Sequence, residues 1–331
     1  MLLEVRGLRM QRGGQEVLGG LDFTADRGEI YGLLGPNGAG KTTCFDILAG
    51  FLVPDAGEIR LAGRPLDGEA RRAVGIVPQE IALYPKLTCR QNLRFFARLY
   101  GVRGDAVEAR VSGSLRDVGL EASADRPVAQ LSGGMQRRLN VAVGLVHDPA
   151  MLILDEPTVG LDLESRLQIW NLLRTLRDGG RTLLLTTHYL EEAETLCSRI
   201  GILVDGRLAA EGSPEELRGR IPAAEVAGIE CEEPAALRAR VEALGLAWRP
   251  AGHRTAVWLP ERETLEAVAA RFQGVPIRGL DLHPVRLEDV YREVVGRPQP
   301  GTAQRFVDPP GAASRAALVD WPSYGSHTDH P

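Results

Sequence analysis

The sequence predicts an α/β protein, a mainly parallel sheet flanked by helices, with a small C-terminal α+β accessory domain. Three observations carry that expectation. A glycine-rich loop, Gly35 to Thr43, joins an apolar stretch ending in Leu33 and Leu34 to a helical run over Thr42 to Ala49, with Gly50 as its stop. Met151 to Leu154 is a short continuous apolar run, as expected of a strand buried on both faces of a parallel sheet. Strand and helix patterns then alternate through 151–205, including a helix from Glu164 to Leu176.

The loop is spelled for phosphate. Gly35, Gly38 and Gly40 let the backbone curl so that several N–H groups converge on one anion. The helix N-terminus adds unpaired N–H groups and partial positive charge. Lys41 supplies a full charge for the β and γ phosphates, and Thr42 a hydroxyl for Mg²⁺. Of the 39 basic residues only Lys41 and Lys86 are lysine, so this lysine does not reflect general usage. The nucleotide-binding candidates are Gly35, Asn37, Gly38, Gly40, Lys41, Thr42 and Thr43. The 151–154 strand ends in Asp155 and Glu156. A carboxylate at such a strand tip holds Mg²⁺ through its water shell, and a second orients and deprotonates water. Asp155 is assigned to the metal and Glu156 to the water.

The segment Leu131 to Leu139 points to a second anion site. Ser132 is a good N-cap, Leu139, Val143 and Val146 share a helix face, and Gly133 and Gly134 leave the backbone open. Two anion sites on a chain with one phosphate loop suggest that the second completes a neighbour's site. These motifs, in this order, resemble the nucleotide-binding subunit of an ABC transporter over roughly residues 1–220. The resemblance implies a P-loop ATPase core with an N-terminal antiparallel β subdomain and an inserted helical subdomain at about 86–145. It implies ATP and Mg²⁺ as cofactors. Ser132 and Gly134 match the positions that contact γ-phosphate on a second ATP-binding subunit, a homodimer being expected. Gln79 matches the glutamine that senses Mg²⁺ and faces the membrane partner, Asp162 the residue that couples the two sites, and His188 the switch histidine. Glu156, His188 and Gln79 are thus the catalytic candidates, and Thr42, Gln79 and Asp155 the metal candidates. One position departs from the pattern. Arg12 stands where the family usually has an aromatic that stacks on adenine; a guanidinium also stacks on a base, so weaker base selectivity is expected.

Residues 1–30 read as short strands with turns at 12–14 and 26–28, and helices are expected at Cys89 to Tyr100 and Asp105 to Gly119. Beyond a short helix at Glu215 to Gly219 and a linker at 221–224, residues 225–297 alternate strand and helix as an accessory, regulatory domain. Its helices are expected at Pro234 to Leu244, Glu261 to Phe272 and Arg286 to Val295. Residues 298–331, rich in Pro, Gly, Ala and Ser, read as a disordered tail. Thr187 to Glu194 and Leu287 to Arg297 resemble drug-resistance-type export ATPases.

A hydrophobic content of 44% and a charged content of 25% are those of a globular chain, and the net charge of −5 gives no global attraction to nucleic acid or anionic lipid. No window approaches the about 20 apolar residues that cross a bilayer, and the N-terminus does not read as a signal peptide. The expected location is cytoplasmic, peripheral on the cytoplasmic face of the membrane through an integral membrane permease. Nucleic acid is not an expected partner. The rival class is a soluble ABC-type ATPase acting on ribosomes or nucleic acid, but the chain has one cassette, no heptad run and no basic tail. Four scattered cysteines lack metal-ligand spacing. Cys44, in the first turn after the loop, is expected to have a thiol acidified by the helix dipole and to react with thiol reagents.

Overall fold

The computed structural model describes residues 1–295. They form two compact units: Met1–Ile221 joined by the last helix, and Pro222–Val285. The tail expected at 298–331 lies outside the described residues.

The first unit opens with β1 (Leu3–Arg12), β2 (Gln15–Ala25), β3 (Ile30–Leu34), α1 (Lys41–Ala49), β4 (Ala56–Leu61), β5 (Arg64–Pro65) and β6 (Val74–Val77). A helical stretch follows, α2 (Cys89–Leu99), α3 (Ala106–Asp117) and α4 (Gly133–Leu145). The alternation then resumes with β7 (Met151–Asp155), α5 (Leu163–Asp178), β8 (Thr182–Thr187), α6 (Leu190–Leu196), β9 (Arg199–Val204), β10 (Arg207–Gly212) and α7 (Pro214–Arg218). One sheet is antiparallel, in the order β2-β1-β4-β5. The other has six strands, β10-β9-β3-β8-β7-β6, parallel except where β10 turns back on β9.

Every residue of β3, β7 and β8 is buried, and β7 and β8 carry continuous apolar stretches, Met151 to Leu154 and Leu183 to Leu185. Leu33, Ile153 and Leu184 pack with Phe45 and Leu48 of α1 and with Leu3, Val5 and Phe23 of the antiparallel sheet. Each such leucine contributes about 1.5–3 kcal/mol through burial. α1 stops at Gly50, whose φ of 84° lets its N–H reach back to the carbonyls of Asp46 and Ile47. α2 starts on a capping box, in which Thr88 accepts from Gln91 N–H and the Gln91 side chain accepts from Thr88 N–H.

This core sets the site. Strands β3, β8, β7 and β6 are consecutive neighbours, so their carboxyl ends form one edge, where ligands gather in such sheets. The glycine loop leaves β3, His188 follows β8, Asp155 ends β7 and Gln79 follows β6 by two residues.

The second unit contains β11 (Glu225–Cys231), α8 (Pro234–Ala243), β12 (Trp248–Ala251), β13 (Arg254–Leu259), α9 (Leu265–Arg271) and β14 (Ile277–His283). Its sheet is wholly antiparallel, β12-β13-β11-β14. Leu237, Val241, Val268 and Phe272 of the helical layer close a core over Ala227, Ile229, Val257 and Leu259. Helix α9 begins at Leu265 rather than at Glu261, because Thr264 caps it by accepting from Ala267 N–H. The last helix, α10 (Leu287–Val295), differs more. Sequence placed it in the accessory domain, but it packs against α6, α7 and β9 of the first unit, burying Leu287 and Val290.

Candidate functional site

The glycine loop turns from β3 into α1 through residues whose conformations exclude other side chains. Gly40, at φ 105°, is the N-cap of α1, and a Cβ there would stand 2.8 Å from Leu18 and 2.9 Å from the Val17 carbonyl. Gly38, at φ 82°, faces open space. No side chain caps α1, so its first N–H groups face the loop unpaired by any cap. Lys41 is 5% exposed, and its Nζ donates to the carbonyls of Gly35 (2.8 Å) and Pro36 (3.0 Å). Burial lowers the Lys41 pKa, against the raising effect of Glu156 and Asp155. An uncapped helix start beside a buried ammonium is a fit for phosphate.

Asp155 is 4% exposed at the tip of β7 and accepts a short hydrogen bond from the Thr186 hydroxyl. Burial raises its pKa; the Thr186 bond opposes that, and the negative charges of Glu156 and Asp46 add to it. A carboxylate held in this way gains from a nearby cation. Among the described residues no group of three or more His, Cys, Asp or Glu could hold a metal unaided. The buried oxygen donor here is the Asp155 carboxylate, and Thr42, next to Lys41 in the chain, is exposed. That sparse oxygen set suits Mg²⁺, which is bound through one or two carboxylates together with substrate phosphates.

Glu156 stands next in the chain with a left-handed φ of 44°, a strained conformation for a residue with a side chain, costing about 1–3 kcal/mol. Its N–H donates to both the carbonyl (3.1 Å) and the hydroxyl (3.2 Å) of Thr186 on the neighbouring strand. The turned backbone brings Glu156 Oε1 to 3.0 Å from His188 Nδ1 and 3.8 Å from Lys41 Nζ. The His188 ring packs on Tyr189 at 4.2 Å, and Arg166 of α5 lies 5.0 Å over the other ring. The structure thus joins Lys41, Asp155, Glu156 and His188 in one group.

The remaining candidates lie outside that group. Ser132 caps α4, accepting from Met135 N–H (3.3 Å). Asp162 caps α5, accepting from the N–H (2.8 Å) and hydroxyl (3.1 Å) of Ser165, and these bonds lower its pKa. Gly134 packs on that same turn; a Cβ there would stand 2.6 Å from Ser165 Oγ. Among the described residues no hydrogen bond or ion pair links Ser132 or Asp162 to Lys41, Glu156 or His188. Gln79 is exposed, and its carbonyl accepts from Arg137 (3.0 Å). Arg12 is exposed at the end of β1, where its charge bears on Asp46 of α1.

One expectation changes. Cys44 is fully buried, and burial pushes its thiol up to about 12. The desolvation of a thiolate in this core outweighs the dipole of a nine-residue helix. The sequence reading also passed over Arg137. It is buried at 3% exposure in α4 and binds the turns that carry Gln79 and Glu156. The available signal was a charged residue in a helix that is apolar along most of its length, since a buried arginine demands partners.

The ABC transporter family pattern matches residues 18–159, from β2 to just past Glu156. The Nod factor export ATP-binding protein I of Ralstonia nicotianae is 41% identical over 302 residues, covering 89% of this chain and 94% of that protein. The chain belongs to the ABC transporter family, among its ATP-binding subunits. Solved ABC structures share its fold. One is cbiO1 from Clostridium perfringens, part of the ABC transporter complex cbiONQ, with 32% identity and a TM-score of 0.62 over 66% of this chain and 90% of that one. Another is a dimeric ATP-binding cassette in a post-hydrolysis state with ADP and Pi. It has 26% identity and a TM-score of 0.57, covering 64% of this chain and 98% of that one. This chain is thus an ATP-binding subunit, and the family to which it belongs hydrolyses ATP.

Proposed function

We propose that this ABC subunit hydrolyses ATP in a head-to-tail dimer and drives a separate integral membrane permease in export. The observation that carries the reading is the Glu156 carboxylate, aimed by a left-handed backbone and held 3.0 Å from His188 beside the buried Lys41.

Lys41, with Gly35, Asn37, Gly38, Gly40 and Thr43, would bind the β and γ phosphates, its ammonium exchanging the Gly35 and Pro36 carbonyls for phosphate oxygens. Thr42, Asp155 and Gln79 would hold Mg²⁺, which neutralises phosphate charge when bound. Glu156 would orient the attacking water and take its proton. His188 would keep the Glu156 carboxylate in place and reach the γ-phosphate. Ser132 and Gly134 of the partner subunit would complete the site, and Asp162 would relay between the two sites. Arg12 would stack on the base with modest selectivity.

Hydrolysis on this plan depends on closure of the dimer, and closure would move the helical stretch against the permease near Gln79. The dimeric state of the post-hydrolysis cassette supports the pairing. The name of the Ralstonia relative, Nod factor export, supports the direction of transport. Drugs or other small hydrophobic molecules are the cargo class we propose, on the resemblance of the Thr187–Glu194 segment. The second unit, Pro222–Val285, is proposed as a regulatory accessory. Affinity capture from detergent-solubilised native membranes, with tagged Glu156→Gln and ATP, tests the reading. Stoichiometric recovery of a polytopic membrane protein is expected; recovery of ribosomal or DNA-bound material without one would overturn it.

A further inference from the structure

Arg137 sits in the second turn of α4, and all five N–H donors of its guanidinium find a backbone carbonyl. Nε donates to Pro157 (2.6 Å), Nη1 to Pro78 (2.7 Å) and Gln79 (3.0 Å), and Nη2 to Asp155 (3.1 Å) and Glu156 (3.0 Å). These carbonyls belong to the two turns that leave β6 and β7, adjacent strands paired in parallel from Val74↔Met151 to Val77↔Leu154. One turn further along α4, Asn140 Nδ2 adds a bond to the Pro78 carbonyl (3.3 Å). Among the described residues, the side-chain hydrogen bonds that tie these two turns to one element come from α4. Burial brings the guanidinium down to about 10, opposed by the charges of Glu192 and Asp155, so it stays cationic at neutral pH. Glu192, fully buried, is itself fixed by Thr158 (2.7 Å) and Trp170 (3.0 Å).

The Glu156 carbonyl is one of the five acceptors, and Glu156 is the residue with the left-handed backbone. A strained turn persists only where its surroundings over-determine it, and Arg137 is a large part of those surroundings. The same helix begins at Ser132 and Gly134. A rigid helix therefore carries, at one end, the residues proposed to meet the second subunit's nucleotide. In its second turn, it carries the cation that shapes the proposed catalytic turn of its own chain.

We propose that Arg137 is a positioning residue for hydrolysis, setting the Glu156 carboxylate and the Gln79 turn according to the placement of α4. Seating the N-terminus of α4 on the second subunit's nucleotide is then transmitted to Glu156 on the same chain. This inference rests on the assignment of Glu156 as the water-orienting base.

The test compares Arg137→Lys and Arg137→Met in wild-type and Glu156→Gln backgrounds, with rates expressed per ATP-binding-competent molecule. Lysine keeps the charge but has three donors from one point and cannot span five carbonyls. If the methionine variant does not fold, the lysine variant carries the comparison. The expected result is a kcat lower by about 100-fold. KM for ATP stays within about threefold of wild type, and the residual rate of Glu156→Gln shows no further loss beyond about threefold. An Arg137→Lys kcat within about threefold of wild type, beside an inactive Glu156→Gln, overturns the positioning role and leaves the function standing. So does an equal loss in both backgrounds, which marks a merely structural residue. Normal turnover by Glu156→Gln alone overturns the functional reading itself.

Discussion

The imidazole Nδ1 of His188 stands 3.0 Å from Oε1 of Glu156, and Thr186, two residues before His188, binds the Glu156 N–H through both its carbonyl and its hydroxyl. Strand β8 and the residue that follows it thus hold both the backbone and the side chain of Glu156. His188→Ala removes the side-chain contact and leaves the backbone ones. It should lower the ATPase kcat by on the order of 100-fold, while ATP affinity, which we propose the loop and Lys41 set, stays within a few-fold. Steady-state phosphate release beside equilibrium nucleotide binding measures both. A large loss of affinity with unchanged kcat would move His188 from chemistry to binding.

If Ser132 serves the neighbouring subunit, defects in Lys41 and Ser132 complement across chains. Neither Lys41→Ala nor Ser132→Arg alone should turn over ATP. An equal mixture places one intact site in each heterodimer, so about a quarter of wild-type activity should return if pairing is random. Wild-type ATPase in either variant alone would refute the shared site.

Cys44 should be silent to maleimide in the native protein, with or without ATP, and react only on unfolding. Its thiol ionises at about 12 when folded, against 9.0 for the ordinary value. The folded state therefore holds a proton that the unfolded state releases. The stability this contributes is complete below pH 9 and is lost as pH rises towards 12, at up to about 1.4 kcal/mol per pH unit. Chemical denaturation across that window should show a steeper decline for wild type than for Cys44→Ala; equal slopes would remove Cys44 from the account.

The core prediction concerns Leu184 of β8, fully buried in the core that the central sheet shares with α1 and the antiparallel sheet. Leu184→Ala should cost about 2–5 kcal/mol in unfolding free energy, read from denaturant midpoints at unchanged slope.

Much of this was legible because it is local. The loop, the β7 strand and its two carboxylates, and the stop at Gly50 each declare themselves within about ten residues, through glycine conformation, apolar continuity and capping. What stayed hidden depends on residues far apart in the chain. Arg137 has acceptors in two turns that are distant in sequence, among many arginines in a chain that has few lysines. The acidity of Cys44 was read from its place in a helix, but the packing over its sulfur decides it. The placement of α10 rests on Leu287 and Val290 finding α6 and α7, which no periodicity states.

The measurement that tests the central claim most directly is the association state of Glu156→Gln with and without ATP, by light scattering on a sizing column, beside its rate of phosphate release. The account predicts a monomer without nucleotide, a stable dimer with ATP, and little hydrolysis. A variant that turns over ATP at the wild-type rate, or stays monomeric at saturating ATP, would contradict it.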